Sequence, residues 1–234
     1  MKYMYNFHVN SYAFGAYKAK VALWPKTELI YTCPVCGMTR YNEIIYERTT
    51  GIDFPQKKWP DVLACTLTIT NAISDYVLHD MRENRIGGFE VFKLNITNIP
   101  ENKPKPFDYW LISPTTTLQY ELVLPPNYEK YGCLNCGMWK SYEKGMPLPK
   151  LQISDEKIKD VDWAFAYYGS GSGYVLCSER VVDLACAKKW TNCGFVIFGD
   201  PDLWDIKIQY EKSNWREILE KEIAKRDAES NLSL

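Results

Sequence analysis

Two stretches of the chain carry the same change of hydrophobic period. Leu67-Thr-Ile-Thr-Asn-Ala-Ile-Ser74 reads as a short apolar strand, Asp75 to Asn84 as a helix, and Gly87-Gly-Phe-Glu-Val-Phe92 as a second strand. Tyr174-Val-Leu-Cys-Ser178, the run to Lys189 and Cys193-Gly-Phe-Val-Ile-Phe198 repeat that order. In each, a serine (Ser74 or Ser178) stands where strand gives way to helix, with an acid (Asp75 or Glu179) directly behind it. A hydroxyl at that point caps a backbone N–H of the first turn, and the acid meets the positive end of the helix dipole. A glycine after the helix (Gly88 or Gly194) releases the chain into the next strand.

The other elements are plainer. Ile99-Pro-Glu-Asn-Lys-Pro-Lys-Pro-Phe107 cannot be helical and reads as a surface link. Tyr109 to Val123 is strand material leading to Pro125-Pro126. After Phe198, a turn at Asp200-Pro-Asp precedes a strand ending at Tyr210. Ser213 caps a closing helix from Trp215 to about Ala228, with Trp215, Ile218, Leu219 and Ile223 on one face. From Glu229 onward the tail is expected to fray.

The cysteines add a second repeat. Cys33-Pro-Val-Cys-Gly-Met38 and Cys133-Leu-Asn-Cys-Gly-Met138 lie 100 residues apart, and Gly88 and Gly194 lie 106 apart. A basic residue and a tyrosine follow each knuckle: Arg40 and Tyr41, then Lys140 and Tyr142. Two independent features at nearly one period point to an internal duplication. The expected fold is α+β: two pseudo-repeated αβ halves, each a strand–helix–strand unit, joined through a zinc knuckle pair. Residues 1–98 form the first repeat, 99–200 the second and 201–234 a C-terminal strand and helix, all in one compact unit.

A CxxCG turn puts two sulfurs on one side of a tight loop, and its glycine supplies the positive φ that turns backbone N–H groups toward sulfur. One pair is two ligands short of a tetrahedron. Two pairs complete it, so Cys33, Cys36, Cys133 and Cys136 are expected to share one structural zinc ion per chain. Four thiolates leave no open coordination position. Such a site feeds a binding free energy on the order of 10 kcal/mol into folding. An iron–sulfur centre is the alternative metal. A redox CxxC is disfavoured, because neither knuckle sits between strand and helix within a βαβ pattern. Cys65, Cys177, Cys186 and Cys193 are left as small apolar residues.

Composition narrows the classes of function. A net charge of -1 offers no pull toward nucleic acid or an anionic membrane. No uninterrupted apolar run approaches the roughly 18 residues of a membrane span. Met1 to Asn10 mixes Lys2, Asn6 and His8 with aromatics, so an export signal is not expected and a reducing cytoplasm is. Gly169-Ser-Gly-Ser-Gly173 precedes a strand rather than opening a helix, which makes it a connector and not a phosphate loop. His8 and His79 are the only histidines and fit no metal-hydrolase pattern, and Ser178 lacks a nucleophile elbow. The reading is therefore of a protein that is not an enzyme.

The doubled knuckle, Val175-Leu-Cys-Ser-Glu-Arg-Val181 and Gly194-Phe195 together resemble the double-CXXCG-motif proteins of bacteria, across about residues 30 to 200. In the first half Thr70-Asn-Ala-Ile-Ser-Asp75 stands where that family has a short Ser-Glu-Arg turn. The resemblance implies an immunity protein of a polymorphic or contact-dependent toxin system: a cytoplasmic antidote that binds a cognate toxin, with zinc as scaffold. Asp155, Glu156, Asp160, Asp162, Trp163, Tyr167 and Tyr168, acids and aromatics before a glycine loop, are the candidate partner-binding residues. Their plainer reading is a solvated surface beside half-buried sheet aromatics. The rival function is a zinc-ribbon nucleic-acid binder, for which Arg40, Lys57, Lys58 and Lys140 make only a thin basic patch. A third is an enzyme assembled from the acids between Asp155 and Asp162.

Overall fold

The computed structural model describes residues 4–9, 18–21, 26–44, 49–53, 59–63, 65–66, 71–97, 106–118, 120–137, 148–168, 172–200, 203, 208, 212 and 214–232. The fold is α+β, with mainly antiparallel sheets and four helices among the described residues.

The first strands are β1 (Tyr5–Val9), β2 (Lys18–Val21), β3 (Lys26–Thr32), β4 (Thr39–Ile44), β5 (Thr49–Asp53), β6 (Val62–Leu63), β7 (Cys65–Thr66) and β8 (Ala72–Ser74). Helix α1 (Asp75–Glu83) follows, then β9 (Phe89–Lys93), β10 (Asn95–Thr97), β11 (Tyr109–Pro114) and β12 (Glu121–Val123). The chain continues through a 3-10 turn at Tyr128–Lys130, β13 (Lys150–Gln152) and the single turn α2 (Asp155–Ile158). It ends with β14 (Trp163–Tyr168), β15 (Ser172–Cys177), α3 (Glu179–Lys188), β16 (Cys193–Ile197) and α4 (Trp215–Leu232).

Two four-stranded antiparallel sheets organise the molecule, in the orders β6-β8-β11-β9 and β14-β15-β1-β16. Their registers correspond strand by strand. Trp110 lies opposite Ile73 and Lys93, just as Tyr5 lies opposite Cys177 and Ile197. Val62 faces Ile73 as Trp163 faces Cys177. Sequence neighbourhood does not dictate the third strand of either sheet. The early strand β1 sits between β15 and β16, and β11 sits between β8 and β9.

The helix starts follow from the residues named above. Ser74 caps α1 by accepting from the Val77 N–H at 3.4 Å. Ser178 occupies the same position before α3, but its hydroxyl donates to Asp162 Oδ1 at 3.0 Å and caps no N–H. After the helices, Arg85 and Gly88 take left-handed φ values of 53° and 82°, and Lys189 and Asn192 take 57° and 61°. The expected match of Gly88 to Gly194 is therefore displaced by two residues. Asn192 makes the turn, and Gly194 lies inside β16 opposite His8. Asparagine is among the residues that tolerate this backbone, and here its Nδ2 is held by a long-range bond to Val62 O of β6 at 2.8 Å.

The largest core cluster joins Val77, Leu78 and Met81 of α1 with Val181, Val182 and Ala185 of α3, and with Phe7, Ile112, Trp163 and Phe195 from the two sheets. Trp215 and Leu219 seal it from α4. That helix runs to Leu232, past the predicted fraying point. Leu63, Ala72, Tyr109 and Leu111 pack on one side of the first sheet with Leu94 and Ile96, while Met4, Ala164 and Leu176 pack with Leu118 and Ile158. The link at 99–105, the segment around Asp202 and Tyr210, and Ser213 lie outside the described residues.

Candidate metal centre

The first knuckle is the turn between β3 and β4, strands that pair only with each other among the described ladders. The second follows the 3-10 turn, after β12. Both turns close in the same way: Gly37 N–H bonds to Cys33 O at 2.9 Å, and Gly137 N–H to Cys133 O at 2.8 Å. Each glycine has φ +71°, a conformation that costs any other residue. These turns aim two sulfur pairs at each other.

The four Sγ atoms of Cys33, Cys36, Cys133 and Cys136 all lie within 4.8 Å of one another. Cys33 and Cys133 are 3.9 Å apart, Cys36 and Cys136 3.6 Å. A tetrahedral thiolate centre with metal–sulfur bonds of about 2.3 Å has sulfur–sulfur edges of about 3.8 Å. The geometry therefore fits one metal ion held by four sulfurs, and a tetrahedral all-sulfur set suits zinc or iron. The expected ligand set is brought together across 100 residues of sequence.

The surroundings favour ionised sulfur at one ligand. Burial opposes the Cys33 thiolate, but the Cys36 and Val35 backbone N–H groups, the Asn135 amide and Cys36 outweigh it, and the thiol is lowered to about 5. The Asn135 Nδ2 donates at 3.4 Å. Cys36 goes the other way: the Met38 backbone N–H and Cys136 favour its thiolate, yet partial desolvation within the sulfur cluster and the Cys33 and Cys133 sulfurs hold it above its ordinary value. A first thiolate thus resists the formation of others beside it, which is the charge a cation relieves. Burial, then Cys136 and Cys133, push the Tyr128 hydroxyl up to about 12. Tyr128 is fully buried and donates to Gly137 O at 2.6 Å, bracing the second knuckle from below.

The candidate partner residues separate by burial. Asp155, Glu156 and Asp160 are exposed in and beside α2. Trp163 is fully buried, edge-on to Phe7 at 5.2 Å. Asp162 is buried and fully engaged: Oδ1 accepts from Ser178 Oγ and Arg180 Nη1, and Oδ2 from Gly87 N–H and Arg180 Nη1. Neither of these two side chains is offered to a partner. The rest of the alternating pattern hid this, because Asp162 stands just before β14 and is buried together with its neighbour Trp163. Tyr167 and Tyr168 lie in β14, with side chains outside the description. Arg40 lies in β4, its side chain likewise undescribed, and Lys57, Lys58 and Lys140 lie outside the described residues. Of the glycine-rich segment, 169–171 lie outside the described residues, while Ser172 and Gly173 open β15, opposite Tyr168 and Tyr167. Cys177 and Cys193 are buried, and Cys186 is half-buried.

Sequence reasoning missed Asp61. Its Oδ2 accepts from Thr191 N–H and Oγ1, both at 2.8 Å, and its Oδ1 from Ser74 Oγ at 3.3 Å. Nothing in the local pattern distinguishes it from a surface acid; its counterpart role to Asp162 exists only across the fold. No family model matches the chain, and no curated protein matches it. No described helix is long and apolar enough to cross a membrane.

Proposed function

We propose that the protein is a non-catalytic immunity protein that binds and blocks a cognate bacterial toxin in the cytoplasm, on a scaffold of duplicated halves with one structural zinc. The observation that carries the reading is the four-sulfur cluster: two CxxCG turns meet at tetrahedral spacing and leave no ligand position for substrate. The knuckles and the Ser-Glu-Arg turn that resemble the double-CXXCG family supply the functional part of the proposal. The matched orders and registers of the two main sheets support the duplication, as do the left-handed positions after α1 and α3.

The proposed contact surface is Asp155, Glu156 and Asp160. A cleft of about 440 Å³ opens beside Asp155, lined by Met4, Leu151, Ile158 and Phe198. An apolar anchor in that cleft with a basic residue over the acids is the arrangement a partner would present. The test is co-expression and co-purification with the product of the neighbouring upstream gene, which this reading expects to be the toxin. Rescue of cells and a stable complex are expected. A toxin that kills despite the protein, with no complex formed, would sink the reading.

A further inference from the structure

The two main sheets each take their third strand from a distant part of the chain. β1 belongs to the N-terminal stretch, yet it completes the sheet of β14, β15 and β16. β11 follows the 99–105 link, yet it completes the sheet of β6, β8 and β9. In both cases the inserted strand pairs on both edges, so its removal would split the sheet in two. Tyr5 Oη reaches back to Glu179 Oε1 of α3 at 3.2 Å, and Trp110 Nε1 reaches Asp75 Oδ1 of α1. The inserted strands thus dock at equivalent places.

The acids Asp61 and Asp162 reinforce the exchange in both directions. Asp61 stands just before β6 and binds the Thr191 backbone beyond α3. Asp162 stands just before β14 and binds the Gly87 backbone beyond α1 at 3.1 Å. Each also holds the serine before the helix on its own side: Ser74 N–H bonds to Asp61 O at 2.8 Å and Ser178 N–H to Asp162 O at 3.0 Å. Arg180 adds Nη2 bonds to Asn84 O and Arg85 O. The β3–β4 hairpin that carries Cys33 and Cys36 belongs to neither sheet and shares no ladder with another described strand.

We infer that reciprocal strand exchange, not the four-sulfur centre, holds the two parts of the chain together, and that the metal centre serves to latch the β3–β4 hairpin onto the second knuckle. The inference about the latch rests on the metal reading above; the inference about exchange does not. Removing the metal frees the hairpin while both sheets stay intact. The exchanged body is topologically a strand-swapped dimer whose two chains have been joined by the link.

The experiment uses the full chain with a protease site placed in the 99–105 link, cut after folding and then treated with a chelator. Both fragments are expected to co-elute from a size-exclusion column before and after chelation. Hydrogen exchange is expected to accelerate at least about tenfold in β3, β4 and both knuckles on chelation, while β1 and β11 keep their protection. Fragments that part on cutting alone overturn the exchange, and fragments that part only on chelation make the metal the clasp. Loss of β1 and β11 protection together with that of the hairpin overturns the latch. Metal analysis finding no bound ion defeats the metal reading and the latch, but leaves the cutting experiment to decide the exchange.

Discussion

A methyl group added at Gly37 would meet nothing within 4 Å, whereas at Gly137 it would strike Leu122 Cδ2 at 2.6 Å. The two glycines have the same φ and stand at the same place in the same motif. Their knuckles differ in what lies behind them. In the first, Cys33 is buried while Pro34, Val35, Cys36, Gly37 and Met38 are exposed. In the second, Cys133, Cys136 and Gly137 are buried, with Leu122 against the glycine and Tyr128 bonded to its carbonyl. The lesson is that a motif fixes the ligand geometry, while packing decides which copy is the anvil and which the arm. The second knuckle is built into the body; the first is carried to it on a hairpin.

The largest effect should erase the comparison. Cys33→Ser and Cys133→Ser each remove one corner of a shared tetrahedron, so both should abolish a metal contribution on the order of 10 kcal/mol in binding. Metal analysis should fall from one ion per chain to none for both, with matching falls in melting temperature. Two ions in the parent chain, or metal retained by either variant, would break the shared centre.

A smaller effect should separate the knuckles. Gly37→Ala meets only the backbone penalty, about 1–2 kcal/mol. Gly137→Ala adds overpacking against Leu122, about 1–3 kcal/mol more. Denaturant melts should rank the two in that order, and Leu122→Ala should recover part of the Gly137→Ala loss; equal losses would contradict the packing difference. Tyr128→Phe should cost about 1–3 kcal/mol by leaving the Gly137 carbonyl without its donor. That change should loosen amide protection at the second knuckle before the first. The smallest effects belong to the tips: Val35→Ser and Leu134→Ser, at 71% and 57% exposed, should each shift stability by less than about 0.5 kcal/mol.

Much of the local structure was legible. The periodic run after Ser74 became α1 and the one after Ser178 became α3, ending at Asn84 and Lys189 as read. The hydroxyl of Ser178 was misjudged in role although not in position, because Asp162 competes for it and that acid is distant in sequence. Asp162 and Trp163 looked like surface residues beside exposed acids. They lie inside because β14 is a partner of β15, and the strand's inward face is set by that pairing. Gly194 matched Gly88 by letter, yet the registers set Asn192 there, since an asparagine can adopt the same left-handed turn.

The sequence by itself determined the four-cysteine set that the fold gathers, the two helix starts and the mixed α+β character. Those properties live within a few residues: a three-residue cysteine spacing, a cap followed by an acid, a hydrophobic period. Only the tertiary structure decided which sheets receive β1 and β11, which acids become internal clasps and which knuckle is packed into the body. Backbone hydrogen bonds in a ladder are the same for every residue, so an apolar strand declares that it will pair without declaring with whom. That choice is made by packing across the whole chain.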